Sequence, residues 1–252
     1  MKKAGLTVAL CSVALAVTSH PASAQAGMPS GDGATQQTDG PFRVATFGVF
    51  RKMLSEGDFT PKVPLAAVMA KQPTTGVGAV ADARGEITVF DGKLIVSYGK
   101  PAAQTDPSQD SAALLTFGSA PAWQSIAVKK DVAPAEIETF IASTAKAYGL
   151  DPEQSFPFEI EGTILSYVMH VNIGPTNGPH GMGYPIAVTN ERKGERIEGR
   201  VAGLYVAARL MGIATHGGER THAHWVAADG AATAHLDRWG LAAGAILRLP
   251  KP

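Results

Sequence analysis

Residues 220–238 read R-T-H-A-H-W-V-A-A-D-G-A-A-T-A-H-L-D-R, and three histidines in this stretch have the type and spacing to hold a metal ion. In a strand, His222 and His224 point to one side, with Cβ atoms about 6 to 7 Å apart. Asp229-Gly230 is a dipeptide that two-residue hairpin turns favour, because both central residues need positive φ. A hairpin centred there sets His224 opposite His235, on the same side of the ribbon, with Cβ atoms about 5 Å apart. Asp237 then falls opposite His222, where it could orient the free nitrogen of that ring. Three neutral imidazoles beside a carboxylate, with a coordination position left open, are how catalytic zinc or a similar divalent transition ion is held. An odd-length loop or a bulge at Asp229-Gly230 would send His235 to the other face.

The elements that must position this ribbon are mostly short strands. Phe42–Thr46 reads as a strand, Phe50–Leu54 as a short helix broken at Ser55-Glu56-Gly57-Asp58, and Pro64–Met69 as another helical turn or two. Thr75–Tyr98 reads as a β-meander with turns at Arg84-Gly85 and Asp91-Gly92. Its G-V-G is no nucleotide loop, since no helix pattern follows. Glu86 begins a strand just past a turn, where a glutamate is ordinarily solvated. A polar loop over Lys100–Ser111 leads into a strand at Ala112–Phe117. Pro134–Tyr148 carries Ile137, Phe140, Ile141, Ala145 and Tyr148 at helical spacing, with Gly149 as its C-cap.

Phe158–Ile173 is apolar enough for a central strand pair, with His170 near its end. Gly174–Gly183 reads as a loop containing His180, Arg200–Met211 as a buried strand, and Ala245–Leu249 as a last strand before Pro250. His180 and His216 sit in glycine-rich loops and read as ordinary surface histidines. Trp123, Trp225 and Trp239 read as packing residues. A division near residues 121–134 would separate two β-rich halves.

The chain opens M-K-K, continues apolar from Ala4 to Val17 and reaches Ala22-Ser23-Ala24, the order of a secretory signal peptide cleaved after Ala24. Its apolar core is too short to span a membrane. An exported protein of the periplasm or medium is expected, with residues 25–41 as a disordered lead-in. Cys11, the only cysteine, lies within the signal, and Leu10 stands where a lipid-anchor signal needs a small residue. Disulfides and thiolate ligands are thereby excluded from the mature chain. The full chain carries 22 basic and 22 acidic side chains, and loss of Lys2 and Lys3 leaves 20 against 22. That balance argues against nucleic acid or an anionic membrane as partner. With 28 glycines and 17 prolines, the composition favours strands and turns over helical bundles.

Three stretches, taken in order, resemble the alpha-acetolactate decarboxylase family. G-V-G-A-V-A-D-A-R-G-E-I-T-V-F-D-G is similar to the family's G-x-G-T segment leading into G-E-L and D-G. F-E-I-E-G-T-I-L-S-Y-V is similar to the strand that carries its central arginine. T-H-A-H-W with A-H-L-D resembles its H-x-H-F and G-H-V-L-D, with the same histidine spacing. The resemblance covers most of Phe42–Pro250. It implies an α+β, β-rich fold of two associated mixed or antiparallel β-sheets with a few helices, and a metal site in the cleft between them.

The resemblance further implies zinc, or another divalent transition metal, on His222, His224 and His235, with Glu86 as an active-site glutamate assisting proton transfer. The implied reaction converts 2-acetolactate to acetoin and carbon dioxide, zinc stabilising the enediolate. The partners so implied are a small 2-hydroxy-3-oxo acid and, in a homodimer, a second copy of the chain. The chain departs from the pattern at Ala79, where the family has threonine, and at His170, where counting from Gly162 puts the family's arginine. It also ends at Pro252, where the family runs on to a second glutamate. His170 is the candidate to replace the arginine, beside the substrate carboxylate or as a proton donor. The alternatives are a divergent member acting on another small oxo or hydroxy acid, and a metal-binding protein without turnover.

Overall fold

The structure, a computed structural model, describes residues 37–100, 106–177 and 185–252. The signal peptide expected over residues 1–24 and the loop histidine His180 lie outside these residues. So does most of the lead-in, but its end, Gln37–Asp39, pairs as a strand rather than remaining without structure.

Every strand up to Gly118 belongs to one antiparallel sheet and every strand from Trp123 onward to another. The first contains β1 (Gln37–Asp39), β2 (Val44–Phe47), β3 (Val63–Pro64), β4 (Thr75–Val80), β5 (Gly85–Phe90), β6 (Lys93–Tyr98) and β7 (Ser111–Gly118). Their order is β1-β2-β7-β4-β5-β6, with β3 also paired to β7. The second contains β8 (Trp123–Ala127), β9 (Phe156–Asn177), β10 (Pro185–Tyr205), β11 (Thr221–Val226), β12 (Thr233–Leu241) and β13 (Ile246–Pro250), in the order β10-β11-β12-β9-β13-β8. Because β9 also pairs with β10, the strands β9, β10, β11 and β12 close into a ring.

The strand pair expected within Phe158–Ile173 is a single strand, β9, that continues through Gly174 to Asn177. Two of its glycines, Gly162 and Gly174, take positive φ within the strand. Gly162 takes φ 140° and lies so near β13 that a Cβ there would stand 2.8 Å from the Ala245 Cβ. At the other end of the ribbon, β10 stops at Tyr205, and a 3-10 turn at Ala208–Leu210 replaces the expected continuation to Met211.

Among the described residues three α-helices decorate the sheets: α1 (Phe50–Glu56), α2 (Leu65–Met69) and α3 (Ile137–Ala147). On α1, Phe50 and Met53 make the buried face at i, i+3 spacing, and Gly57 ends the helix in the left-handed region at φ 62°. The first-turn N–H groups of Phe50 and Arg51 donate to the carbonyls of Ile213 and Gly212, at 2.8 and 3.0 Å. These bonds satisfy donors a helix start leaves orphaned and fix α1 above the entry to β11.

Both sheets contribute to the largest core cluster. Phe156, Phe158 and Ile160 of β9 and Leu204 of β10 meet Val77 and Phe90 of the first sheet. Each such side chain contributes about 1.5–3 kcal/mol on full burial. Specific polar contacts join the sheets, some of them within the site and others outside it.

Candidate metal centre

Register pairs His224 with His235 across β11 and β12, and His235 with His170 across β12 and β9. Three imidazoles thus form one cross-strand row, with His222 two residues along β11 on the same face. The turn differs from the expected two-residue hairpin. The Ala227 N–H bonds to the Ala232 carbonyl at 2.9 Å and the Gly230 N–H to the Ala227 carbonyl at 2.8 Å, so residues 228–231 form a four-residue loop. Of the expected pair only Gly230 has positive φ, at 75°. Lengthening the loop by one residue on each arm preserves parity, so the histidines keep their partners.

One nitrogen from each of His222, His224 and His235 lies within 4.8 Å of the others, and all three rings are buried. Hydrogen bonds fix which nitrogens are free. His222 Nδ1 stands 2.9 Å from the Ala214 carbonyl, which can only accept, so this nitrogen carries the proton and Nε2 the lone pair. Thr233 Oγ1 donates to the Trp225 carbonyl, so the Thr88 hydroxyl must donate to Thr233 and must accept from His224 Nδ1 at 3.0 Å. His224 therefore also offers Nε2. Its tautomer is set by Thr88, a residue of the opposite sheet. His235 turns Nδ1 toward His224 Nε2 at 3.3 Å and Nε2 toward Asp237 at 3.9 Å.

Burial suppresses protonation of the trio, pushing His222 down to about 3 and His224 and His235 well below their usual value. Three imidazoles held neutral, with one nitrogen of each converging and the second nitrogens of His222 and His224 hydrogen-bonded, fit a borderline divalent ion such as zinc.

Asp237 does not serve His222. Between Leu236 and Arg238 the ladder with β9 gains a residue, and Asp237 is that bulge. A bulge redirects the side chain it adds, and both Asp237 oxygens lie against His170 Nδ1, at 2.9 and 2.8 Å. Burial opposes an imidazolium at His170, but the Asp237 hydrogen bond and the charges of Glu86 and Asp237 outweigh it and raise its pKa.

Glu86 is not the solvated residue its strand position suggests: it is 2 % exposed. Its Oε1 accepts from the Asn172 main-chain N–H at 3.0 Å and the Asn172 side-chain amide at 2.7 Å, while Oε2 stands 3.7 Å from His224 Nε2. Burial pushes the carboxyl up to about 7, against the opposing His170 charge and the Asn172 bonds. A carboxyl poised there can hold or release a proton near neutral pH.

Glu86, His170, Asn172, His222 and His235 line a cavity of about 220 Å³, whose far wall includes Phe50, Met53 and Leu54 of α1 together with Phe59 and Leu114. His216, expected at the surface, lines the same cavity with its ring 4.2 Å from Phe50 and 5.8 Å from His235, centroid to centroid. The described lining contains no lysine or arginine. Sequence reasoning missed Asn172, Thr88 and His216. A signal existed for Asn172, which follows His170 at the same i, i+2 spacing that links His222 to His224.

The model of the alpha-acetolactate decarboxylase family matches residues 47–246. Among solved structures, alpha-acetolactate decarboxylase from Bacillus subtilis strain 168 superposes with a TM-score of 0.61 at 14 % identity, covering 82 % of this chain and 85 % of that one. A Staphylococcus aureus protein of unknown function, similar to alpha-acetolactate decarboxylase, gives 0.59 at 12 % identity, covering 81 % and 83 %. Likeness at such low identity concerns the fold. No curated protein sequence matches the chain.

Proposed function

The chain belongs to the alpha-acetolactate decarboxylase family, and from that premise we propose that it is a metal-dependent decarboxylase converting 2-acetolactate to acetoin and carbon dioxide. The observation that carries this reading is the convergence of three buried neutral imidazoles on one point, with a buried carboxyl 3.7 Å from one of their donor nitrogens. His222, His224 and His235 would hold the ion. When bound, zinc supplies Lewis-acid stabilisation for negative charge on the ketone oxygen.

The chain's own residues do the rest. His170, kept toward its charged form by Asp237, faces the substrate carboxylate before it leaves as carbon dioxide. Cleavage of that carbon–carbon bond leaves an electron pair delocalised toward the ketone oxygen. Glu86, protonated near neutral pH, delivers a proton to the carbon that lost the carboxylate. The apolar wall from α1 excludes water and strengthens these interactions.

A second reading is favoured by one observation: no lysine or arginine lines the described cavity. An imidazolium replaces a bidentate guanidinium poorly, so a related small oxo acid with different carboxylate demands is the alternative substrate. We further propose export through a signal peptide over residues 1–24. Acetoin release from racemic 2-acetolactate, measured with zinc and with chelator, tests the main reading. Folded, zinc-loaded protein that forms no acetoin would overturn it.

A further inference from the structure

Beyond the imidazole trio, Glu86 and its partner Asn172, the described cavity lining keeps three polar side chains that could meet a substrate: Thr189, His170 and His216. Thr189 is exposed, at the rim. His170 commits Nδ1 to Asp237 and has Nε2 left. His216 is half-buried, and its ring makes no hydrogen bond among the described residues.

The backbone that carries this unpartnered ring is nonetheless tied down on both sides. Before it, the carbonyls of Gly212 and Ile213 accept from the first turn of α1, and that of Ala214 accepts from the ring of His222. After it, the Glu219 N–H closes a turn on the His216 carbonyl at 3.2 Å, and the buried Thr215 hydroxyl lies 2.6 Å from the Glu219 carbonyl. The ring rests on Phe50, with centroids 4.2 Å apart. A polar group held against apolar walls without a protein partner is poorly satisfied until a ligand meets it.

His170 and His216 both neighbour His235, with ring centroids 4.8 and 5.8 Å from it. An imidazole in either protonation state offers at least one N–H, and a carboxylate has two oxygens to accept them. We propose that His216 is a specificity-determining residue that, together with His170, grips the carboxylate of a small 2-hydroxy acid held at the imidazole trio. The identity of that acid rests on the decarboxylase reading above; the recognition of its carboxylate by two imidazoles does not.

Two unreactive probes of one size separate carboxylate recognition from packing. One is 2,3-dihydroxy-2-methylbutanoate, the substrate with its ketone reduced; the other is 2-methylbutane-1,2,3-triol, in which a CH2OH group replaces the carboxylate. Each is titrated calorimetrically into the zinc-loaded protein. Wild type binds the acid about tenfold or more tighter than the triol, the scale of a hydrogen bond to a charged group. His216→Phe, which keeps a flat ring and loses the N–H, weakens the acid about tenfold and leaves the triol within about twofold. His216→Ala shows the same selective loss, and His216→Gln, which keeps a donor, stays within about threefold of wild type for the acid. Acid and triol weakened equally, or acid affinity unchanged in both His216→Phe and His216→Ala, would overturn the proposal.

In the acetoin assay, His216→Phe raises KM about tenfold while kcat stays within about threefold, because a group that holds the carboxylate contributes mainly to binding. Wild-type protein that prefers the acid to the triol yet makes no acetoin sinks the decarboxylase reading alone. Acetoin formation without that preference sinks the role of His216 alone.

Discussion

His170 Nδ1 stands 2.9 and 2.8 Å from the two carboxylate oxygens of Asp237, the residue that interrupts the β12–β9 ladder. The bulge turns that carboxylate toward a ring already in register with His235. One strand thereby contributes a candidate metal ligand, His235, and, two positions later, the partner of a different histidine.

Asp237→Asn tests this relationship. The amide cannot hold an imidazolium as the carboxylate does, so the His170 pKa falls toward and below its usual value. If the charged form of His170 is the working one, activity is lost as pH rises through its pKa. The alkaline limb of the kcat/KM profile then moves to lower pH in the variant, and activity just above neutrality falls severalfold. A limb in the same place in both proteins contradicts the role given to His170.

If the buried trio holds zinc as proposed, binding and folding are coupled through it. An ion that binds only the folded state at a hundred times its Kd adds about 2.7 kcal/mol of stability. For a domain of this size that raises Tm by about 5–10 °C. His222→Ala abolishes the zinc-dependent rise, while His216→Ala, outside the donor set, retains it. Thermal unfolding with zinc and with chelator distinguishes the two.

The first sheet depends on Gly78 in β4. A Cβ there would lie 2.0 Å from the Leu114 carbonyl oxygen and 2.8 Å from the Leu115 Cα, both backbone atoms. Gly78→Ala must therefore push β4 from β7, and with it β5, which carries Glu86. The cost is about 1–3 kcal/mol or more. Gly76→Ala meets the Phe117 Cβ at 3.0 Å and nothing else nearer than 3.4 Å, and costs less. Equal denaturant midpoints for the two variants would refute this account.

Much of the site was legible because strand alternation and hairpin parity depend on residue number alone. His222, His224 and His235 keep their relation even though the loop between them is longer than Asp229-Gly230 suggests. Asp237 was misassigned because one bulged residue changes the face, and no local sequence signal marks this bulge. The burial of Glu86 could not be read from its place after a turn, since it is the opposite sheet that covers it. His216 reaches the cavity through the loop that caps α1, a long-range contact with no periodicity. Similarly, β9 runs through Gly174, where the sequence reads as the start of a loop, because that glycine takes φ 124° within the strand.

The sheets are also joined away from the cavity, by a buried ion pair. Glu159 of β9 is fully buried. Its Oε2 lies 2.6 Å from Nη2 of Arg248, its register partner on β13, while Oε1 accepts from Thr75 Oγ1 at 3.1 Å and the Asp91 N–H at 3.0 Å. Thr75 and Asp91 belong to the first sheet and its β5–β6 turn, so this carboxylate ties the two layers together. The Arg248 guanidinium, stacked 5.4 Å from the Phe90 ring centre, can turn to the exposed Glu161 at 3.4 Å if Glu159 is lost. Glu159 has no such substitute partner, so Arg248→Met is the more damaging change. Stranding the carboxylate costs about 3–5 kcal/mol. Burial already pushes Glu159 above the usual carboxyl range despite Arg248. Its ionised form is therefore the costly one in the folded state, and since loss of Arg248 pushes the carboxyl higher still, the Arg248→Met penalty shrinks as pH falls through the variant's value and is gone below the wild-type one. Urea unfolding of Arg248→Met and wild type at neutral and mildly acidic pH measures both effects. A neutral-pH difference below about 1 kcal/mol, the scale of an exposed pair, would mean that the pair does not clamp the sheets.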